Sequence, residues 1–244
     1  MQCEVSIIIP TYNRFSSLLD SIRSVLNQTH ENFEIIVIND GSKQEEYYNF
    51  DFHKLSKKIK IIHLETNSKN IFGYACAGYV RNMGIKEAKG NYLAFLDDDD
   101  IWFPRKLENQ LKMMKLHNCE MSCTEGYWGD ERFNPKNNYK KYLHEKTFEG
   151  LKQKYKRFGV DISNGFANIW NLHFIDIHNS VVTSSVLVSK TLMEKVGGFK
   201  NINRAEDYDC WKRIMKHTDC FFLQDEPYFY FASFPDHSGN YVYN

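Results

Sequence analysis

The chain has 244 residues, 42% of them apolar, enough to bury the core of one large α/β domain with an appended C-terminal part. Its 31 Lys and Arg balance 31 Asp and Glu, which removes the net positive charge that nucleic-acid binding draws on, and no apolar run is long enough to cross a bilayer. Six cysteines, at 3, 76, 119, 123, 210 and 220, form no Cys-x-x-Cys pair and follow no secretory signal, so they read as reduced core thiols of a cytoplasmic protein.

Val5 to Ile9 is an apolar, β-branched run that predicts a buried strand stopped by Pro10, with Thr11-Tyr12-Asn13 as a polar loop and Asn13 as a helix cap. Phe15, Leu18, Leu19, Ile22, Val25 and Leu26 then fall on one helical face. Phe33 to Ile38 predicts a second strand ending in Asn39-Asp40-Gly41-Ser42, and Ile59 to Leu64 a third. Gly73 to Ala88 predicts a helix that carries Arg81 and Asn82. Strands alternating with helices imply a mostly parallel sheet, which gathers the polar loops after each strand on one edge.

Leu93 to Leu96 is the next buried strand, and it delivers four carboxylates, Asp97 to Asp100. Adjacent carboxylates repel one another, so such a run is costly unless a cation offsets it, and hard oxygen ligands suit Mg²⁺ or Mn²⁺ bridging to phosphates. Helices are expected over Pro104 to Leu116, over Leu192 to Val196 and after Glu206-Asp207; strands are expected at Glu120 to Gly126, Val181 to Val188, Phe221 to Leu223 and Tyr228 to Phe231. Between Trp128 and Trp170 the pattern turns aromatic and basic. That stretch suits an anionic lipid surface or a solvated helix, and Glu145 and Glu149 favour the solvated helix.

Other motifs fail on single positions. Gly73 to Gly78 has the glycine spacing of a phosphate loop but lacks the Lys and Ser/Thr that must follow, and no dinucleotide fingerprint follows any strand. Asp97, Asp99 and Glu108 match a calcium loop, but Trp102 stands where Gly is required. Cys119, Cys123 and His117 lack a second ligand pair for zinc. Asp97-x-Asp99 also has the form of a phosphatase nucleophile, although Ile101 stands where Thr or Val is needed.

Taken together, Val5 to Arg14, Val25 to Gln28, Phe33 to Ser42, Arg81-Asn82, Phe95 to Trp102 and Glu206-Asp207 closely resemble the family 2 glycosyltransferases. The match is dense from residue 4 to about 116 and returns over Val181 to Arg213. The resemblance implies an α/β GT-A fold with a mostly parallel central sheet flanked by helices. It divides the chain into a nucleotide-sugar-binding half (1–126), a variable aromatic and basic segment (127–175) and an acceptor-side half with the catalytic base (176–244).

It further implies transfer of a sugar from a nucleotide-diphosphate donor, UDP-linked by preference, to a hydroxyl of a glycan or lipid-linked acceptor, with inversion, in capsule, lipopolysaccharide or other surface-polysaccharide synthesis. By this resemblance Pro10, Thr11, Tyr12 and Asp40 meet the nucleoside, Arg81 the base or diphosphate, and Asp97 and Asp98 bind the ribose or order the loop, while Asp99 holds Mn²⁺ or Mg²⁺. Asp207 is the general base, with Glu206 as fallback. Trp102, His178, Asn179, Thr183 and Ser184 line the donor or acceptor pocket, and His237 reaches the diphosphate or metal, although Phe-Pro-Asp before it departs from the family's form. The partners so implied are a donor, an acceptor and no nucleic acid, with peripheral contact at the inner membrane face left open. The competing readings are a nucleotide-sugar-binding module without catalysis and an aspartyl phosphatase.

Overall fold

A computed structural model describes residues 3–233. The chain runs β1 (Val5–Thr11), α1 (Phe15–Leu26), β2 (Phe33–Asn39), α2 (Glu46–Asn49), β3 (Ile59–His63), α3 (Ser68–Phe72), α4 (Ala77–Glu87), β4 (Tyr92–Phe95) and β5 (Ile101–Trp102). It continues through α5 (Lys106–His117), β6 (Met121–Thr124), β7 (Tyr127–Gly129), β8 (Lys140–Lys141), α6 (Phe148–Arg157), β9 (Ile169–Trp170) and α7 (Leu172–Ile177). It ends with β10 (Leu187–Ser189), α8 (Lys190–Lys195), α9 (Glu206–Ile214), β11 (Cys220–Leu223) and β12 (Phe229–Ala232).

An 8-stranded sheet, ordered β3-β2-β1-β4-β10-β6-β11-β9, carries the fold, and a 4-stranded sheet, β5-β12-β7-β8, stands beside it. Within the large sheet β1 to β4 are parallel, as are β6 and β11, whereas β10 runs antiparallel to both of its neighbours. The continuous apolar runs of β1 and β2 follow from burial on both faces. Val5, Ile7 and Ile9 pack with Leu18, Ile22 and Val25 of α1, and Ile8, Ile36 and Ile38 pack with Val80 and Ile85 of α4. These layers hold the carboxyl ends of β1, β2 and β4 on one edge.

Five local expectations change. Pro10 lies inside β1, paired with Ile38; its missing N–H would point toward β4, which has already ended at Phe95. Asn13 does not cap α1. Its backbone has φ 53°, its side chain accepts from Lys43 N, and Gln44 Oε1 takes the Phe15 N–H instead. Gly73, at φ 80°, closes α3, so the helix bearing Arg81 starts only at Ala77. Thr183 to Ser185 form a 3₁₀ turn before β10 rather than part of a strand, because all three hydroxyls bond locally or to the site and so compete with a ladder. The basic stretch supplies β8 and α6, the latter anchored by Leu151 and Tyr155. Among the described residues no helix is long and apolar enough to cross a membrane.

Candidate active site

The acid run unfolds into four separate environments. Asp97 accepts from Arg81 Nη2 at 2.7 Å, and Arg81 Nη1 donates to Glu206 Oε1 at 3.0 Å. Arg81 is fully buried, so one guanidinium from α4 ties the end of β4 to the start of α9. Asp98 accepts from Thr11 Oγ1 at 2.7 Å and from Arg14 at 3.3 Å; Asp99 accepts from the same Arg14 at 2.6 Å. Thr11 in turn shares a hydrogen bond of 2.6 Å with Tyr47 Oη. Asp100 turns into the protein, where Oδ1 takes the Ala232 N–H of β12 at 2.9 Å and Oδ2 is buried without a hydrogen bond. The charge cost expected of the run is therefore met largely by side chains of the protein. Two arginines offset three of the acids, and Asp100 joins the two sheets.

Asp207 lies in the first turn of α9, where its Oδ2 is approached by Asn179 Nδ2 at 3.4 Å and Thr183 Oγ1 at 3.3 Å. The next residue, Ser184, accepts the Asp97 N–H on Oγ at 3.0 Å. One turn thus grips the acid run with Ser184 and the α9 carboxylate with Thr183. Backbone strain is concentrated beside it: Arg204 and Ala205 adopt φ 88° and 53°, immediately before Glu206. Non-glycine residues in this region cost energy and cluster at functional sites.

Burial sets the electrostatics. It raises the pKa of Asp98, with Arg14 opposing, and raises that of Glu206, with Arg81 opposing and Asp207 adding to the rise. Asp99 is pushed up to about 7 by burial and then by the Asp98 charge, which together outweigh Arg14. The folded carboxyl thus holds its proton at pH values where an unfolded one, near 3.8, has lost it. The stability Asp99 contributes is complete below about pH 4 and disappears as pH rises through about 7. Asp99→Asn should therefore flatten the decline of the thermal midpoint between these limits, measured at stepped pH without divalent cations.

Among the expected site residues, Thr11, Arg81, Asp97, Asp98, Asp99, Glu206 and Asp207 meet within this network, with Asn179, Thr183 and Ser184 holding it. Pro10 and Tyr12 flank Thr11 at the end of β1, both partly buried. Asp40 follows β2 on the same edge; it is fully buried and accepts from Ser68 N at 2.7 Å and Ser68 Oγ at 2.6 Å. Trp102 is not a pocket residue. Only 2% exposed, it lies in the core, donates from Nε1 to Ser184 O at 2.8 Å and carries Lys106 Nζ over its ring at 4.1 Å. His178 contacts Ser180 Oγ through Nδ1 at 3.3 Å, and burial, then Lys154, lowers its pKa. His237 lies outside the described residues. Arg14 was missed; its signal was a cation just after β1, in register with an acid run after β4.

No group of three or more His, Cys, Asp or Glu side chains forms a metal-binding cluster among the described residues. The chemistry of Asp99 nonetheless fits a divalent cation. Asp99 is a hard oxygen donor, 15% exposed, and its pKa is raised by burial first and then by the Asp98 charge, a cost that a bound cation would relieve.

A parallel half-sheet with carboxylates at its edge, joined by an antiparallel strand to a second half bearing a further acid, is the GT-A glycosyltransferase architecture. Residues 6–171 match the family described as Glycosyl transferase family 2, and the chain belongs to that family. It is 44% identical over 147 residues to an uncharacterized glycosyltransferase of Rickettsia bellii, covering 60% of this chain and 20% of that protein. It is 37% identical over 124 residues to the putative teichuronic acid biosynthesis glycosyltransferase TuaG of Bacillus subtilis, covering 50% of this chain and 46% of that one. To the UDP-Glc:alpha-D-GlcNAc-diphosphoundecaprenol beta-1,3-glucosyltransferase WfgD of Escherichia coli it is 42% identical over 114 residues, covering 47% and 42%. The chain therefore spans less than half the length of each. Among solved structures, S. aureus TarS 1-349 in complex with UDP-GlcNAc superposes with a TM-score of 0.66 at 20% identity, over 98% of this chain and 62% of that one. Mannosyltransferase PcManGT from Pyrobaculum calidifontis, in complex with GDP-Man and Mn²⁺, gives 0.68 at 13% identity, over 98% and 59%.

Proposed function

We propose that this chain transfers a sugar from a UDP-sugar to a hydroxyl of a glycan or lipid-linked acceptor, with inversion, in the synthesis of a surface polysaccharide. The observation that carries the reading is the Thr183-Ser184 turn, which fixes the Asp207 carboxylate beside the acid run at 3.3 Å and 3.0 Å from the respective hydroxyls. Relatives whose names specify UDP-Glc and a diphosphoundecaprenol acceptor support the donor and acceptor classes.

Thr11, Tyr12 and the end of β2 that Asp40 braces through Ser68 receive the nucleoside, and Asp97 and Asp98 orient the ribose or order the loop. Asp99 would hold Mn²⁺ or Mg²⁺, and such an ion would supply Lewis-acid stabilisation of the departing diphosphate. Asp207 takes the proton from the acceptor hydroxyl as it attacks from the face opposite the leaving group, which gives inversion in a single displacement. Glu206 does not serve in that role, because its carboxylate is buried on Arg81 at 3.0 Å. In this reading residues 1–126 form the donor half, 127–175 the variable segment and 176–244 the half that carries the base. The acceptor's lipid brings the protein to the inner face of the membrane.

The test is a thermal-shift and turnover series with UDP-glucose, UDP-N-acetylglucosamine and GDP-mannose, with and without Mn²⁺. A UDP-sugar should stabilise the protein more with Mn²⁺ than without, Asp99→Asn should lose that increment, and UDP should be released on turnover. Stabilisation without any turnover would instead assign a binding module.

A further inference from the structure

We propose that Glu125 and His144 form an acceptor-binding pair, in which His144 Nε2 accepts a hydrogen bond from a sugar hydroxyl of the acceptor; this rests on the proposed sugar transfer. Glu125 is fully buried directly after β6. Its Oε1 accepts from Gly126 N at 2.9 Å and Leu143 N at 3.1 Å, and its Oε2 accepts from His144 N at 3.0 Å and His144 Nδ1 at 2.6 Å. With four donors aimed at it, the carboxylate acts purely as an acceptor, so the proton in the last bond belongs to Nδ1. In the neutral ring that leaves the lone pair on Nε2. Nε2 makes no hydrogen bond to any described residue, and the side chain is 27% exposed.

The surroundings hold this ring in one orientation. Phe148 and Phe222 lie parallel to it, at interplanar angles of 10° and 11°, and Phe166 meets it edge-on at a centroid distance of 5.1 Å. His144 itself is carried on a π-helical turn, Tyr142–Lys146, a rare conformation found frequently at functional sites.

Register fixes where the pair stands. Leu187 of β10 is opposite Ala94 of β4 on one side and Ser122 of β6 on the other. Asp97 and Glu125 each lie three residues beyond that shared rung, on strands that point the same way. They therefore share one sheet edge, separated by about 10 Å, or two strand spacings. The Thr183–Ser185 turn that holds Asp207 lies between them, just before β10. With the donor on the β1 and β4 side, an acceptor presenting its hydroxyl to Asp207 extends toward β6, where His144 waits. A structural role for Glu125, satisfying the N–H groups of the π turn, accounts for its two backbone contacts there but not for an oriented imidazole with an unused lone pair.

The experiment measures steady-state transfer from UDP-glucose and UDP-N-acetylglucosamine to N-acetylglucosaminyl diphosphate on a short alkyl chain and to octyl glucoside, for wild type, His144→Phe and Glu125→Gln. His144→Phe keeps an aromatic ring among its neighbours and removes the lone pair. In Glu125→Gln the amide nitrogen can donate to Nδ1, which moves the imidazole proton to Nε2 and leaves the His144 N–H, 3.0 Å from the same position, without its acceptor. Both should raise the acceptor KM tenfold or more while the donor KM moves less than twofold. An unchanged acceptor KM, or donor and acceptor constants that shift together with a fallen thermal midpoint, overturns the pair's role and leaves the proposed reaction standing. Failure of the wild type to transfer to any acceptor overturns the reaction and this inference with it.

Discussion

Asp207→Asn is expected to lower the rate of sugar transfer by about 10²–10⁴-fold, the contribution of a positioned general base, with UDP affinity and thermal midpoint close to wild type. The substitution keeps the side chain's shape. It also keeps an oxygen for Thr183 Oγ1, now at 3.3 Å from the carboxylate, and removes the capacity to take a proton together with one acceptor, the Oδ1 that takes the Tyr208 N–H at 2.6 Å. The loss should therefore appear in kcat and not in the donor KM, as for an interaction made chiefly in the transition state. Retention of more than a tenth of wild-type kcat would move the base to another residue, and Glu206→Gln is the comparison that separates the candidates. Glu206 is bound to Arg81 at 3.0 Å, so its loss should affect stability first.

Arg81→Met should give the largest loss of stability of any single change at the site, about 3–5 kcal/mol, because removing one partner of a buried ion pair leaves uncompensated charge. Here two carboxylates are stranded together, Asp97 from 2.7 Å and Glu206 from 3.0 Å. For a chain of this length each kcal/mol lowers the thermal midpoint by about 2–4 °C, so the shift is well within reach of a melting curve. Neutralising the orphaned acids in the triple variant Arg81→Met, Asp97→Asn, Glu206→Gln should recover part of the loss. No recovery would mean that Arg81 stabilises α4 by packing, for instance on the Phe199 ring 5.6 Å away, and not by charge.

The legible part of the sequence was the part governed by short-range rules. Continuous apolar runs gave the buried strands β1, β2 and β4, and the spacing from Phe15 to Leu26 gave α1, because burial on two faces and a 3.6-residue period both leave direct marks. The family motifs carried the acid run and Glu206-Asp207 to one site. What stayed hidden depends on partners distant in sequence. Nothing local tells Asp100, which turns inward to Ala232, from Asp99, which faces Arg14. The resemblance put Trp102 in the pocket, but its indole N–H is used by Ser184 O at 2.8 Å. The Val181 to Val188 run has strand composition, and its Thr and Ser side chains turned its first part into the bracket between the Asp97 N–H and the Asp207 carboxylate.

The placement of β10 has a consequence for biosynthesis. It is the slat between β4 and β6, yet it leaves the ribosome only after the entire middle segment has been made. Until then both neighbours present open hydrogen-bonding edges, which are templates for pairing with other chains. Assembly of the central sheet must therefore wait for late synthesis, a long-range closure of the kind that slows folding. Versions of this chain cut between the end of β6 and residue 187 should accumulate in inclusion bodies.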